Sequence, residues 1–192
     1  MAGESVRPSL LFVCTANMCR SPLAAALARR ALSDAGAEVA SAGFLPGGHQ
    51  IPADTVRVAT GLGVRLESHQ STQLTPGILA LADLVITMTR QQARELVADD
   101  AELWPRVFTI KQFARWITAH RPPAAGLSRA WLEAEASGRH PVEMLGADPD
   151  DDVIDPMGHP PRVWNAVAHE LVAAVDEIAA ALRPRLSSPS TP

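Results

Sequence analysis

Two residues near the amino terminus combine a nucleophile with a permanent positive charge. Cys14 and Arg20 lie six positions apart in the segment VCTANMCRSP, residues 13–22. A thiolate can attack an electrophilic centre, and a planar guanidinium group can hold two oxygen atoms of a tetrahedral oxyanion. The small and polar residues between them allow successive backbone N–H groups to point into one concavity. This spacing predicts a loop that binds phosphate and presents it to Cys14.

We expect every residue of this loop after the nucleophile to contribute to phosphate binding. These residues are Thr15, Ala16, Asn17, Met18, Cys19, Arg20 and Ser21. The Ser21 hydroxyl could also hydrogen-bond the thiolate of Cys14 and stabilise it as a leaving group. The chemistry predicted for the loop is therefore nucleophilic attack on a phosphate ester.

The residues on either side predict how the loop is positioned. Ser9 to Val13 is a short, largely apolar run, which is typical of a strand that is buried on both faces in a parallel sheet. Ser21 is a suitable N-cap, with Pro22 at the first helical position and apolar residues following at helical spacing. The positive end of this helix would then face the bound anion.

The remaining pattern predicts a single α/β domain over residues 1–182, with a central parallel sheet of about four strands and helices on both faces. Further strands are predicted at Glu38–Ser41, Leu84–Met88 and Val107–Ile110, and helices at Ala53–Leu62, Gln91–Ala98 and Val163–Leu182. Residues 121–150 are rich in Pro, Gly and Asp and predict an irregular excursion with at most one short helix, around Ser128–Ala136. Residues 183–192 predict a disordered tail.

The loop resembles the Cys-x5-Arg-Ser-Pro phosphate loop of the low-molecular-weight protein tyrosine phosphatases. Other segments resemble that family in the same order along the chain: Ser41-Ala42-Gly43, Ser68-His69-Gln70-Ser71, the third-strand segment Ala82–Thr89, and Asp152–Pro156, which resembles the acidic loop. The resemblance spans about Ser9 to Leu182, and the excursion at 121–150 looks longer than in the family.

The resemblance implies a two-step hydrolysis without metal or organic cofactor. Cys14 attacks phosphorus, Arg20 and the loop stabilise the transferring group, and Asp155 acts first as general acid and then as general base. Asn17, Ser41 and His69 match a hydrogen-bond network of the family that supports the loop. Cys19 could form a reversible disulfide with Cys14, or it could be a small packed residue.

The same resemblance implies a phosphorylated protein as substrate, with phosphotyrosine favoured, and a tyrosine kinase as its counterpart. Met18 stands where members that resemble phosphoarginine phosphatases tend to carry Thr, which argues for an aryl phosphate. Phe44, Met18 and Met157 could form an apolar slot for the ring. However, the chain has no Tyr, and Met157 follows Asp155-Pro156 where tyrosine-specific members usually have an aromatic residue. We expect a monomer.

Composition disfavours two classes of partner. Lys and Arg total 17 against 21 for Asp and Glu, so there is no basic excess to bind nucleic acid or an anionic membrane surface. The early apolar run at Leu10–Val13 is too short for a signal peptide or a membrane span. We therefore expect a cytoplasmic protein.

Other interpretations remain open at this point. A Cys followed by an Arg six positions later is common by chance, and Asp155-Pro156 could be only a turn. The acidic run Asp148–Asp152 is typical of a solvated face. Alternative functions are an arsenate reductase coupled to an external thiol, because such enzymes resemble this family, and a phosphate-binding regulatory module without catalysis.

Overall fold

The computed structural model describes residues 7–124 and 126–183. Apart from Arg183, the predicted disordered tail lies outside the described residues. The strands are β1 Ser9–Cys14, β2 Glu38–Gly43, β3 Leu84–Thr87 and β4 Val107–Thr109; the α-helices are α1 Arg20–Ala31, α2 Ala53–Gly61, α3 Pro76–Leu81, α4 Arg90–Asp99, α5 Ile110–Ala119, α6 Arg129–Glu135 and α7 Pro161–Leu182. Short 3-10 helices lie at Ser33–Ala35, Ala101–Arg106, Ala136–Gly138 and Pro141–Met144.

The four strands form one parallel sheet in the order β2-β1-β3-β4. In β1, Phe12 pairs with Ser41 on one side and with Ile86 on the other. Because all strands run the same way, their carboxyl ends meet at one edge of the sheet, where Cys14 ends β1. The predicted fold class is confirmed. Because Cys14 is the last residue of β1, it lies at the carboxyl edge of the parallel sheet.

The strands β1, β3 and β4 are covered on both faces, which explains why they are largely apolar, whereas the edge strand β2 is partly exposed. Leu10 and Phe12 pack into a core with α1, α5 and α7, whereas Leu11 and Val13 pack on the opposite face against α4. This alternation follows from the two-residue period of a strand. No helix in the described part of the chain has the length and apolar character needed to cross a membrane.

Two local predictions are wrong. The helix after the loop begins at Arg20, and its N-cap is Cys19, which makes no side-chain capping bond. Ser21 is therefore not the cap, because its hydroxyl is turned toward Cys14 instead. The acidic run is not simply a solvated face, because Asp151 is buried by contacts with α4 and α5.

The excursion at 121–150 contains one α-helix, α6, close to the predicted position. Two single-turn 3-10 helices follow it and were not predicted. The helices α3 and α5 were not predicted either. In α5, Thr109 and Gln112 form a reciprocal capping box at the helix start.

Candidate active site

The loop after β1 is attached to the segment that follows β2. The Phe44 N–H donates to the Cys14 carbonyl at 3.3 Å, and the Leu45 N–H donates to the Thr15 carbonyl at 2.9 Å. At Gly43 the two segments approach so closely that a Cβ atom would lie 2.6 Å from the Asn17 nitrogen. A side chain at this position would displace the backbone that is predicted to bind phosphate.

Asn17 adopts a left-handed backbone conformation, with φ of 53°. Outside glycine this conformation costs about 1 kcal/mol and needs support from neighbours. Its side-chain oxygen accepts from the Thr72 N–H at 2.9 Å, and its amide nitrogen donates to the Ser21 hydroxyl at 2.9 Å. His69 Nε2 lies 3.1 Å from the Asn17 carbonyl and 3.2 Å from Asn17 Oδ1. Both are acceptors, so Nε2 carries the hydrogen.

The predicted contact of His69 with Asn17 is therefore present, but Ser41 is not part of it. Within the described residues, no hydrogen bond joins the Ser41 side chain to Asn17 or His69. Ser21 and Thr72 occupy the places in the network instead. The sequence does not show which of Ser21, Ser41 and Thr72 bonds Asn17, because that depends on which groups face the folded loop.

Ser21 connects this network to the nucleophile. Its hydroxyl lies 3.0 Å from Cys14 Sγ and 3.3 Å from the Ala42 carbonyl. Because Asn17 Nδ2 donates to this oxygen, the single hydroxyl proton can be donated to Cys14 Sγ or to the Ala42 carbonyl, and the shorter distance to the sulfur favours Cys14. Ser21 is thus placed as a hydrogen-bond donor to the nucleophilic sulfur.

Arg20 is buried and joins the nucleophile loop to the acidic loop. Nη1 donates to the Val153 carbonyl at 3.1 Å, and Nη2 donates to Asp155 Oδ2 at 2.5 Å. A longer contact of 3.5 Å joins Nη2 to Thr15 Oγ1. Nε is also buried and has no hydrogen-bond partner among the described residues. A phosphate oxygen in the loop would satisfy this donor.

Asp155 lies at the mouth of the site. Its side chain is 45% exposed, whereas that of its partner Arg20 is 5% exposed. The Met157 N–H donates to Asp155 Oδ1 at 3.1 Å. The structure thus brings Cys14, Arg20 and Asp155 together at one edge of the sheet, although Arg20 and Asp155 are 135 positions apart in sequence.

Two buried polar side chains support the loop and were not predicted. Thr55 on α2 donates to the Met18 carbonyl at 3.0 Å. Gln92 on α4 accepts from the Met88 N–H at 3.0 Å and donates to Thr15 Oγ1 at 3.1 Å. Both residues lie in predicted helices, but nothing in their spacing distinguishes them from solvent-facing polar residues.

Cys19 differs from Cys14 in its surroundings. Both thiols are free and buried. The pKa of Cys19 is raised from its ordinary 9.0 to about 12, mainly by burial and next by the nearby Cys14, while a hydrogen bond with Thr55 acts in the opposite direction. Cys19 therefore stays a neutral thiol at physiological pH.

Exposed apolar side chains flank the site. Leu45 lies in the segment bonded to the nucleophile loop, and Ile154 and Met157 lie on either side of Asp155-Pro156. Large exposed apolar residues at the rim of a polar site are suited to contact the apolar part of a ligand.

Comparison with known proteins identifies relatives of this chain. Residues 9–122 match the model of the low molecular weight phosphotyrosine protein phosphatase family. A protein-arginine-phosphatase from Geobacillus stearothermophilus is 31% identical over 175 residues, which cover 91% of this chain and 95% of the relative. A probable low molecular weight protein-tyrosine-phosphatase, EpsP, from Ralstonia solanacearum is 34% identical over 110 residues, covering 56% of this chain and 74% of the relative.

The fold leads to the same relatives. The structure of the YwlE arginine phosphatase from Geobacillus stearothermophilus aligns with a TM-score of 0.68 and 30% identity, covering 90% of this chain and 91% of that chain. The family match, the α/β fold and the loop after β1 agree with one another. This chain belongs to the low molecular weight protein tyrosine phosphatase family and is a cysteine-based phosphatase.

Proposed function

We propose that this protein removes phosphate from phosphorylated proteins through a cysteinyl-phosphate on Cys14, with Arg20 holding the phosphate and Asp155 moving the proton. The observation that supports this most strongly is the position of Arg20. Its guanidinium contacts Asp155. Its buried Nε–H has no acceptor among the described residues and could donate a hydrogen bond to a bound phosphate. The roles of the loop residues Thr15 to Ser21 as phosphate donors belong to the same proposal.

In the first step the Cys14 thiolate forms a bond to phosphorus while the bond from phosphorus to the ester oxygen breaks. The departing oxygen takes the electron pair of that bond and a proton from Asp155. The loop N–H groups and Arg20 stabilise the charge on the three equatorial oxygens. The products are the free hydroxyl compound and the cysteinyl-phosphate.

In the second step water attacks phosphorus and gives a proton to the ionised Asp155. The bond from sulfur to phosphorus breaks, and the electron pair returns to Cys14 as a thiolate. The Ser21 hydroxyl, 3.0 Å from this sulfur, stabilises the thiolate as it leaves. Inorganic phosphate is released, and Asp155 is protonated again for the next cycle.

The contact of Asp155 with Arg20 changes during this cycle. In the structure the carboxylate pairs with Nη2 of Arg20. A bound phosphate dianion would compete for the same guanidinium, and two negative groups would then face each other. This repulsion favours a proton on Asp155 when substrate binds, which is the state that the first step requires.

Phosphotyrosine is the proposed substrate residue. Cys14 is buried at the bottom of the loop, so the phosphate must reach it on a long, slender group such as an aryl ring. Met18, within the loop, is partly buried, and Ile154 and Met157 are exposed at the rim, so apolar surface is available for the ring. We further propose a tyrosine kinase as the counterpart, a monomeric state and a cytoplasmic location.

Phosphoarginine is the second candidate. It is favoured by the protein-arginine-phosphatase relative, which aligns over nearly the whole of both chains. Met18 is the position that distinguishes the two substrates. A flexible apolar side chain favours an aryl ring, whereas the polar guanidino group would lose hydrogen bonds beside it.

The test of the mechanism is hydrolysis of p-nitrophenyl phosphate without metal by the wild type and by Cys14→Ser. We expect the variant to lose activity but to retain stabilisation by inorganic phosphate in a thermal unfolding assay, because the loop donors remain. Turnover by Cys14→Ser would rule out the covalent mechanism. A wild type that is inactive under reducing conditions, yet binds phosphate, would instead support a binding module, or an arsenate reductase if an added thiol restores arsenate reduction.

The substrate is tested with matched peptides that carry phosphotyrosine, phosphoserine or phosphoarginine. We expect the highest kcat/KM for phosphotyrosine in the wild type and a shift toward phosphoarginine in Met18→Thr. A preference for phosphoarginine in the wild type would replace the first candidate with the second. Equal selectivity of wild type and variant would show that Met18 does not select the substrate.

A further inference from the structure

The acidic run before Asp155 contains a carboxylate that the mechanism does not use. Asp151 is 1% exposed and lies four positions before Asp155. Its Oδ2 accepts from Arg90 Nε at 2.5 Å and from Gln112 Nε2 at 2.8 Å, and its Oδ1 accepts from Arg115 Nη2. Arg90 begins α4, whereas Gln112 and Arg115 lie on α5. One buried carboxylate therefore attaches the acidic loop to two helices.

Asp152 and Val153, the next two residues of the acidic loop, are attached to the start of α4 and to the residues just before it. Asp152 Oδ1 accepts from the Arg90 N–H at 2.7 Å, and the Val153 N–H donates to the Met88 carbonyl at 2.8 Å. The Val153 carbonyl accepts from Arg20. Three consecutive residues are thus held by side-chain or backbone bonds immediately before the turn that carries Asp155.

The start of α4 also supports the nucleophile loop. Gln92, on the first turns of α4, donates to Thr15 Oγ1 at 3.1 Å. The segment from Met88 to Gln92 therefore contacts both the loop that holds Cys14 and the loop that holds Asp155. A shared support fixes the distance between the two loops.

Asp155 itself has few contacts that could set its position. Its side chain is 45% exposed, and its hydrogen bonds in the described part of the chain are those to Arg20 and to the Met157 N–H. The bond with Arg20 is the one that a bound phosphate would compete for. Once it is released, the placement of Asp155 depends on the backbone that carries it.

We propose that Asp151, through Arg90 and Arg115, is a positioning residue for the general acid Asp155. This inference rests on the proposed function. Proton transfer to the ester oxygen requires the carboxyl group within hydrogen-bond distance of it. A loop released from α4 and α5 would still fold over the site but would hold Asp155 less accurately.

The experiment compares kcat/KM for phenyl phosphate, a poor leaving group, with kcat/KM for p-nitrophenyl phosphate, an activated one. The variants are Asp151→Asn and the milder Arg115→Met. The Arg115 side chain is 55% exposed, so we expect its replacement to leave the fold intact. Arg129→Met is the matched control. Arg129 is 39% exposed and also pairs with an aspartate, Asp83, and it donates to the Ala80 and Ala82 carbonyls at the end of α3.

We expect Asp151→Asn to lower kcat/KM for phenyl phosphate about tenfold or more, because an error of about 1 Å in the placement of a catalytic group costs on the order of 10²-fold. For p-nitrophenyl phosphate, whose leaving group needs less help from Asp155, kcat/KM should fall about twofold or less. Arg115→Met should change the ratio of the two values in the same direction, and Arg129→Met should leave the ratio unchanged. Inhibition by inorganic phosphate should stay unchanged in all three variants. Equal losses on both substrates would show a purely structural role and would overturn the proposal.

Asp155→Asn distinguishes this proposal from the one on which it rests. If Asp151 acts through Asp155, the double variant Arg115→Met/Asp155→Asn should match Asp155→Asn alone. Additive losses would refute the positioning role while leaving Asp155 as the acid. If Asp155→Asn itself leaves the substrate ratio unchanged, the acid assignment fails and this proposal fails with it, whereas the result for Cys14→Ser still decides the covalent mechanism separately.

Discussion

Replacement of Ser21 by alanine tests the most specific contact of the nucleophile. Its hydroxyl accepts from Asn17 Nδ2 and lies 3.0 Å from Cys14 Sγ, closer than the 3.3 Å to the Ala42 carbonyl, so its one proton can be donated to the sulfur. A hydrogen bond to a charged group contributes about 1.5–3 kcal/mol. In Ser21→Ala the thiolate loses this bond at the moment when it leaves the cysteinyl-phosphate.

At about 1.4 kcal/mol for each factor of ten, this loss corresponds to roughly a 10- to 150-fold slower hydrolysis of the intermediate. The first step should suffer less, since a less stabilised thiolate is also a stronger nucleophile. We therefore expect kcat to fall more than kcat/KM. The amide of Asn17 also loses its acceptor, so the variant should be less stable by about 1–3 kcal/mol.

The assay is rapid mixing of enzyme with p-nitrophenyl phosphate, followed by detection of the phosphorylated protein by mass spectrometry after acid quenching. Ser21→Ala should accumulate phosphoenzyme and show a burst of about one nitrophenolate for each active site. Ser137→Ala removes an exposed hydroxyl that bonds the Ala134 carbonyl and serves as the control. A kcat within about twofold of the wild type in Ser21→Ala, at a temperature where the variant is folded, would refute the reasoning.

Three further variants or measurements test the loop. Gly43→Ala should lower kcat/KM about 10²-fold, because the new Cβ would lie 2.6 Å from the Asn17 nitrogen and displace the loop, whereas Gly61→Ala, with open space around its Cβ, should not. In urea unfolding, Asn17→Gly should be about 1 kcal/mol more stable than Asn17→Ala, because both lose the same side-chain bonds but only alanine retains the strain of a positive φ; the opposite order would contradict this conformation. Iodoacetamide at pH 8 should label Cys14 and spare Cys19, whose pKa is about 12, and peptide mapping that finds both labelled would contradict the burial of Cys19. Because this pKa lies above the ordinary 9.0, the contribution of Cys19 to stability is present below pH 9.0 and is lost as the pH rises toward 12.

The elements closest to the site could be predicted because their signals are local. β1 is an apolar run that ends at Cys14, and α1 follows within a few residues. The position of the loop between them could therefore be predicted, although its shape could not. The long apolar period of α7 is similarly local. The helix α5 was missed although it is amphipathic and has a capping box at Thr109 and Gln112, so its signal was present in the sequence.

The hydrogen-bond partners inside the site could be predicted only in part. His69 contacts Asn17 as expected, but Ser21 and Thr72 take the place that Ser41 was expected to share. Gln92 could not be distinguished from an exposed helical glutamine. In each case the chain offers several polar groups of similar chemistry, and packing decides which of them faces the loop.

The sequence by itself determined the α/β class, the loop with Cys14 and Arg20, and the resemblance to a phosphatase family, because periodicity and motif spacing depend on residues a few positions apart. Only the tertiary structure decided that Arg20 meets Asp155 across 135 positions, and that Asp151 is buried between Arg90 and Arg115. Contacts of this kind join distant segments, and their formation depends on how the helices and strands pack. A run of aspartates alone contains no information about which of its carboxylates will be covered by arginines from α4 and α5.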